Sequence, residues 1–188
     1  MTFLFAIVLV AVLVVVVTGG SFLQLAQLPV RVPALLFVGL ALQVLLTVID
    51  VPDDRLDDLG FGLLLASYVL LLAFCALNAR ITGLAIIGVG VALNALVIGL
   101  NQGMPTRPYE RERAGQIVHV PIERDAKHRP EEPDDRLVFL SDQIVPPDPI
   151  DEVISVGDLV IAGGLIVLCY AGSRRDRPRR RASTTTES

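Results

Sequence analysis

Apolar residues in this chain are grouped in long, nearly uninterrupted blocks instead of recurring at the spacing of an amphipathic helix or strand. A transmembrane helix needs roughly 20 apolar residues to cross about 30 Å of hydrocarbon. Five blocks approach that length, and they cover about residues 2–18, 34–49, 59–78, 81–100 and 156–172. The pattern predicts an all-α, polytopic membrane protein with about five transmembrane helices.

The first block could instead be the apolar core of a signal peptide. No basic residue precedes it, and the sequence Thr18-Gly19-Gly20-Ser21 is a poor cleavage site. We therefore expect this block to remain as a membrane helix.

The polar connectors between the blocks differ in character. Residues 19–33 are mildly amphipathic, which favours a position in the membrane interface. Residues 50–58 are rich in aspartate, and Asn78-Ala79-Arg80 predicts a tight turn between helices three and four. A long hydrophilic loop covers residues 101–154. The tail, residues 173–188, is first basic and then rich in Ser and Thr, which predicts disorder.

Composition supports a membrane class. Hydrophobic residues make up 53% of the chain and charged residues only 19%, whereas a soluble domain carries about a quarter charged residues. Lys127 is the only lysine among the 16 basic residues. This preference for arginine indicates a GC-rich bacterial genome.

Orientation follows from the density of basic residues, because cytoplasmic ends of membrane helices carry an excess of Lys and Arg. The two sides of the predicted bundle are equal in number, but six arginines are concentrated in Arg174–Arg181, whereas twelve acids offset the basic residues of the long loop. We therefore expect the membrane domain, residues 1–172, to lie in the cell membrane with its N-terminus and long loop outside. The tail should be cytoplasmic and attract anionic lipid headgroups.

Polar side chains inside the predicted helices are concentrated near the side that carries the long loop. At a rise of about 1.5 Å per residue, Gln43 and Asn94 lie at similar depths, and Ser67 and Tyr68 lie slightly deeper. Asp158 lies in the first turn of helix five, close to the outer surface. Asn101 follows Asn94 by seven residues and shares its helix face. Polar groups in a membrane often mark function, so Gln43, Asn94, Asn101 and Asp158 are candidate binding residues of an outward-facing pocket. The alternative is that they form only interhelical hydrogen bonds.

Helix four carries small residues at a helical spacing, namely Gly88, Ala92, Ala95 and Gly99. Such a stripe allows close approach of another helix. Gly163-Gly164 in helix five is the candidate counterpart.

Three short motifs lie around the long loop: Asn-x-Gly-Met-Pro at 101–105, Leu-x-Asp-x-Ile-x-Pro at 140–146 and Ser-x-Gly-Asp at 155–158. Together they resemble a family of small bacterial membrane proteins known as domain of unknown function 5317. The resemblance covers about residues 1–172 and leaves out the basic tail. It implies a membrane topology but no particular activity.

A looser similarity relates Gly-Asp-Leu-Val-Ile-x-x-Gly at 157–164 to the Ala-Asp-x-x-Ile-x-x-Gly of lipoprotein signal peptidases. It implies a catalytic pair, Asp142 and Asp158, since two carboxyl groups that share a proton act as general acid and base. Those enzymes have four spans and an Asn-x-x-Asp-Arg motif, which this chain lacks. We expect instead that Asp142 caps a turn before Pro146 through backbone amides. Asp158 should cap helix five, with Asn101 as a candidate hydrogen-bond partner.

No metal site and no cofactor are expected. Cys75 and Cys169 lie in apolar blocks without a CxxC pattern, and the spacing of His119 and His128 matches no standard ligand set. The polar layer also lacks a matched nucleophile and base.

These features favour a non-enzymatic accessory subunit or a binder of a small ligand or lipid. The alternatives are an intramembrane aspartyl peptidase and a small transporter component, although the inner halves of the helices offer almost no polar path. The expected partners are the lipid bilayer and another membrane protein, and not nucleic acid.

Overall fold

The computed structural model describes residues 2–49, 56–113, 116–122, 124–147, 150 and 152–174. Its helices are α1 (Thr2–Val17), α2 (Phe22–Ala26), α3 (Pro33–Val48), α4 (Phe61–Leu77), α5 (Leu84–Asn101) and α6 (Val156–Gly172). Its strands are β1 (Met104–Thr106), β2 (Tyr109–Arg113), β3 (Gln116–Val120) and β4 (His128–Pro130). A π-helical turn, Leu56–Gly60, leads into α4, and a 3₁₀ turn, Val138–Leu140, follows β4.

The protein is mostly helical, and each of the five apolar blocks contains a helix. Two helical stretches, Asp58–Leu77 and Leu84–Asn101, are long and apolar enough to cross a membrane. The other three apolar helices, α1, α3 and α6, are 16, 16 and 17 residues long. Helix α5 begins later than predicted because the turn after α4 continues to Gly83, whose φ of 97° is not helical. The acidic segment 50–58 lies for the most part outside the described residues.

The helices pack side by side in the order α3, α4, α5, α6 and α1, each against the next. The contact between α5 and α6 is the most extensive. The main core lies between α4 and α5 and includes Leu64, Val97 and, from the loop, Met104. Helix α1 packs on α6, where Val15 meets Cys169.

Glycines set the distance between α5 and α6. A Cβ atom at Gly90 would lie 2.6 Å from the carbonyl oxygen of Gly157. A Cβ atom at Gly164 would lie 2.7 Å from the backbone nitrogen of Ile87. Because neither position has room for a side chain, the two backbones run nearly in contact.

The predicted small-residue stripe does not form this contact. Gly88 faces α4, where an added Cβ would lie 3.0 Å from Cβ of Cys75. In the predicted counterpart, Gly163 has nothing within 4 Å of an added Cβ, and only Gly164 meets α5. The prediction was wrong about the face of α5, because the face that meets α6 carries Gly83, Ile87, Gly90 and Asn94.

The loop between α5 and α6 folds onto the end of the bundle and contains two small sheets. Strand β1 pairs with β4 in parallel, and β2 pairs with β3 antiparallel. Isolated bridges join Thr106 to Asp142 and Ile144 to Ile154. The hydrophilic stretch therefore has a defined tertiary structure over its described residues, although its composition gives little sign of strands.

Asn78 closes the opposite end of the bundle by binding the segment before α3. Its Oδ1 accepts a hydrogen bond of 2.6 Å from the backbone N–H of Arg31. Its Nδ2 donates to the carbonyl oxygens of Arg31 and Phe74, each at 2.9 Å. The side chain thus fixes the chain path between α2 and α3.

The segments that follow α1 and α6 also meet at that side. The backbone N–H of Ser21 donates to the carbonyl oxygen of Ser173 at 2.9 Å, and the guanidinium of Arg174 donates to the carbonyl oxygen of Thr18. Residues 175–188 lie outside the described residues, and with them most of the arginine-rich segment expected to attract lipid headgroups.

Candidate functional site

A groove with a volume of about 1080 Å³ runs along the bundle and is lined by α3, α4, α5 and α6. Its lining is aliphatic and aromatic over most of its length, from Leu28 past Phe37, Leu71 and Val91. At the end nearest the loop, the lining becomes polar and includes Gln43, Tyr68, Asn94, Lys127, His128 and Asp158. The groove therefore has an apolar body and one polar end.

The polar end is built on the first turn of α6. Ser155 and Asp158 form a capping box, in which each side chain accepts a hydrogen bond of 3.0 Å from the backbone N–H of the other. Asn94 of α5 joins them, because its Nδ2 donates to Asp158 Oδ1 at 2.8 Å and its Oδ1 accepts from Ser155 Oγ at 2.9 Å. Asp158 therefore belongs to the cap of α6. The suggested bond to Asn101 was wrong, since its side-chain partner is Asn94.

This network depends on the absence of a side chain at Gly157. A Cβ atom there would overlap Oδ1 of Asn94 and would lie 2.9 Å from the carbonyl oxygen of Gly90. Asn94 reaches the cap of α6 only because residue 157 is glycine.

Helices α3 and α4 complete the polar end. Gln43 Nε2 donates to Ser67 Oγ at 3.2 Å, and Ser67 Oγ donates to the carbonyl oxygen of Leu64 at 2.6 Å. Tyr68 lines the groove, and none of the described residues forms a hydrogen bond with its hydroxyl group. Three of the four predicted binding residues, Gln43, Asn94 and Asp158, thus line one groove.

Asn101, the fourth predicted binding residue, does not line the groove. Its carboxamide donates to the carbonyl oxygens of Val97 and Arg136, each at 2.9 Å, and accepts from the N–H of Arg136 at 2.8 Å. Its own carbonyl oxygen accepts from Nε of Arg129 at 2.8 Å. Asn101 therefore anchors the loop on the end of α5.

A cluster of loop residues lies beside the polar end. His128 Nδ1 is 3.0 Å from Asp125 Oδ2, and His128 Nε2 is 3.3 Å from Asp142 Oδ2. Asp142 is 1% exposed, and its Oδ1 has no hydrogen-bond partner among the described residues. The expectation that backbone amides satisfy Asp142 was wrong, because its bridge to Thr106 carries the side chain towards His128.

Interactions within this cluster shift the pKa values of Asp125 and His128 towards the charged form of each. Burial acts to raise the pKa of Asp125, but hydrogen bonds from His128 and from the backbone of Lys127 outweigh it and lower the pKa to about 2. Burial acts to lower the pKa of His128, but its bonds to Asp125 and Asp142 outweigh that effect and raise the pKa. The imidazolium form of His128 is therefore favoured between the two carboxylates.

Lys127 was not selected from the sequence, yet it is the basic residue at the centre of the polar end. Asp125 Oδ1 accepts a hydrogen bond of 2.7 Å from its backbone N–H, which fixes the local turn. Burial acts to lower the pKa of Lys127, but Asp142, Tyr68, Asp158 and Asp125 outweigh it and raise the pKa.

The ammonium group of Lys127 has charges around it but no direct partner. Among the described residues, none forms a hydrogen bond with Nζ or an ion pair within 4.0 Å of it. Lys127 is half-buried and lines the groove, so its ammonium is available to a group that enters the groove. In the sequence, the one feature that distinguished Lys127 was that it is the only lysine of the chain.

Asp142 and Asp158, the two peptidase candidates, have separate partners. Asp142 contacts His128, whereas Asp158 binds Ser155 and Asn94. Of the two, Asp158 lines the groove and Asp142 does not. No hydrogen bond joins the two carboxyl groups, so they do not form the adjacent pair that shares a proton in general acid–base catalysis.

Among the described residues, no group of three or more His, Cys, Asp or Glu side chains is arranged to hold a metal ion. Cys75 and Cys169 are buried free thiols in different helices, and His119 is exposed on β3.

Comparison with known families gives one match, to the model described as "Family of unknown function (DUF5317)", over residues 27–170. This range begins after α2 and contains every residue of the polar end. No curated protein and no solved structure matches the chain. The match confirms the resemblance based on the three motifs around the loop.

Proposed function

The chain belongs to the family of unknown function DUF5317, and from the groove inside the matched range we propose that it is a multi-pass membrane protein that binds a membrane lipid. The lipid chains would occupy the apolar body of the groove, and the headgroup would contact the polar end. The protein would act as a lipid binder or lipid-dependent accessory subunit and not as an enzyme.

Exposed apolar side chains support insertion of all five apolar helices. Leu9 of α1, Phe37 of α3 and Val69 of α4 are 68%, 67% and 62% exposed. Soluble proteins rarely expose contiguous apolar patches larger than a few hundred Å², whereas helices that face lipid are apolar outside. Helices of 16 or 17 residues reach about 25 Å, and local thinning of the bilayer accommodates the difference.

The proposed orientation in the cell membrane has the N-terminus and the loop outside and the C-terminus in the cytoplasm. The arginines that follow α6 support it, because basic residues stay on the cytoplasmic side. The polar end of the groove then lies near the outer surface, at the depth of lipid headgroups.

The single observation that carries the lipid-binding proposal is the change in lining along one continuous groove. Its volume, about 1080 Å³, slightly exceeds the usual size of small-molecule pockets, about 300–1,000 Å³. A long apolar body with one polar end matches an amphiphile better than a compact polar ligand. The apolar body also favours binding over passage of a polar solute.

Replacing Val44 by tryptophan tests the proposal, because Val44 lines the groove and is 54% exposed. The larger side chain should fill the groove without disturbing the core. Val69→Trp is the matched control, since Val69 is 62% exposed on α4 and is not part of the groove lining. Protein purified in mild detergent would be analysed by native mass spectrometry for bound lipid.

We expect the wild type and Val69→Trp to retain lipid and Val44→Trp to lose most of it. Equal lipid content in the two variants would show that the retained lipid lies elsewhere. Retention of a second protein instead of a lipid would identify the groove as a helix-binding site.

A further inference from the structure

Two hydrogen-bond donors at the polar end lack partners. The ammonium of Lys127 and the hydroxyl of Tyr68 both face the groove, and none of the described residues binds either group. They lie within electrostatic range of each other. Two donors that face one space are suited to an oxyanion such as the phosphate of a lipid.

Acceptors with spare capacity lie beside these donors. Each carboxylate oxygen of Asp158 accepts a single hydrogen bond, one from Asn94 and the other from Ser155, although a carboxylate oxygen has room for two. A group with several N–H donors would satisfy the two oxygens of Asp158, which lines the groove.

The balance of charge limits which headgroups fit. Three carboxylates, those of Asp125, Asp142 and Asp158, surround one ammonium and one imidazole, and the guanidinium of Arg124 also lines the groove. With the guanidinium of Arg124 counted, the formal charge of these groups before binding is −1 with a neutral imidazole and zero with an imidazolium. A purely anionic headgroup would add repulsion, and a purely cationic one would leave the donors of Lys127 and Tyr68 unused.

We propose that the groove selects a zwitterionic aminophospholipid, whose phosphate binds Lys127 and Tyr68 and whose primary ammonium binds Asp158. This assignment rests on the proposed lipid-binding function and adds the chemical class of the headgroup. A primary ammonium has three N–H donors for carboxylate oxygens, whereas the quaternary ammonium of a choline headgroup has none. The site therefore distinguishes ethanolamine from choline at the same net charge.

The test measures headgroup preference with the full-length protein. Wild-type protein in detergent would be titrated with phosphatidylethanolamine, phosphatidylcholine and phosphatidylglycerol of identical acyl chains, and bound lipid counted by native mass spectrometry. We expect phosphatidylethanolamine to bind at least about tenfold more tightly than either of the others, equivalent to about 1.4 kcal/mol.

Variants of the protein test the contacts to the phosphate and to the ammonium of the headgroup separately. Lys127→Met should weaken binding of phosphatidylethanolamine and phosphatidylcholine alike, because both carry the phosphate. Asp158→Asn should reduce only the preference for ethanolamine over choline. Asp158→Asn also changes the cap of α6, so Tyr68→Phe provides a second variant that leaves the cap intact. It keeps the ring and removes only the hydroxyl, and it should weaken binding of both lipids.

Failure of the inference differs from failure of the proposed function. Equal binding of the three lipids, or tighter binding of phosphatidylglycerol, would overturn the headgroup assignment while leaving the groove a lipid site. Absence of bound lipid of every class would overturn both.

Discussion

Asn78 and Asn94 are both buried asparagines, each 2% exposed, at opposite ends of the same bundle. Asn78 bonds only to main-chain groups of Arg31 and Phe74. Asn94 bonds only to side chains, those of Ser155 and Asp158. The first asparagine therefore fixes the path of the chain, whereas the second orients a carboxylate that still faces the groove. The two residues are of the same type and are equally buried. Only their hydrogen-bond partners distinguish the structural role of Asn78 from the candidate binding role of Asn94.

The largest expected effect comes from Gly157→Ala, which should displace the side chain of Asn94 from the cap of α6. The new Cβ would overlap the Asn94 side chain and approach the backbone of Gly90, and overpacking of this kind destabilises by about 1–3 kcal/mol. We expect a clear drop in the unfolding temperature in detergent, followed by circular dichroism, and loss of bound lipid.

Gly163→Ala is the matched control, because nothing lies within 4 Å of a Cβ atom at that position of the same helix. Its unfolding temperature should equal or exceed that of the wild type. Similar losses in both variants would contradict the close contact between α5 and α6.

Asn78→Ala should have an intermediate effect that leaves headgroup selectivity unchanged. It removes three hydrogen bonds and leaves the N–H of Arg31 without its partner, a loss of about 1–3 kcal/mol. Asn94→Ala should instead change the relative affinities for the three lipids. If Asn78→Ala altered lipid preference as much as Asn94→Ala did, the proposed division of roles between the two ends would be wrong.

The smallest effect is local and depends on pH. The folded-state pKa of His128 is raised, so its stabilising contribution is complete below the unfolded value, about 6.5, and is lost as the pH rises through the folded value. Asp125 has a folded-state pKa lowered to about 2, so its contribution is present above its unfolded value, about 3.9, and is lost as the pH falls towards 2. The loop should be held most firmly between about pH 4 and 6.5.

Hydrogen exchange of residues 124–142 would detect this dependence. We expect protection, corrected for intrinsic exchange rates, to decrease on raising the pH from 6 to 9 without a change in the helices. His128→Gln, which does not titrate in this range, should show little further change. An equal decrease in that variant would exclude His128 as the cause.

The sequence was informative where a property depends on neighbouring residues. Apolar blocks located the helices because a lipid-facing or buried helix is apolar throughout. Gln43, Asn94 and Asp158 were grouped because all three lie in the half of the predicted bundle that carries the long loop. The three motifs around the loop identified the family. Contacts between helices were harder to predict from the sequence, because many small residues in α5 are compatible with close packing. Only the structure shows that Gly90, and not Gly88, contacts α6.

The role of the loop residues could not be predicted because it depends on distant pairings. Lys127 reaches the groove through the pairing of β1 with β4, which brings residues 104–106 and 128–130 together without a local turn. The same folding places Asp142 against His128 and uses Asn101 as an anchor. A candidate list chosen by polarity and depth therefore included one anchor and missed the central cation.

The packing of α1 has a consequence for the order in which the protein assembles. Among the helices described, α1 packs chiefly on α6, where Val15 meets Cys169, and the backbone of Ser21 binds that of Ser173. Because α1 precedes α6 by about 140 residues in the chain, α1 gains its main partner only after α6 has been synthesised. A chain that ended between residues 102 and 155 would contain α3, α4 and α5, which can pack together, but would leave α1 without its neighbour. Helix α6 thus completes the packing of α1 as well as that of α5, and a truncation that removes α6 should leave α1 without its main partner.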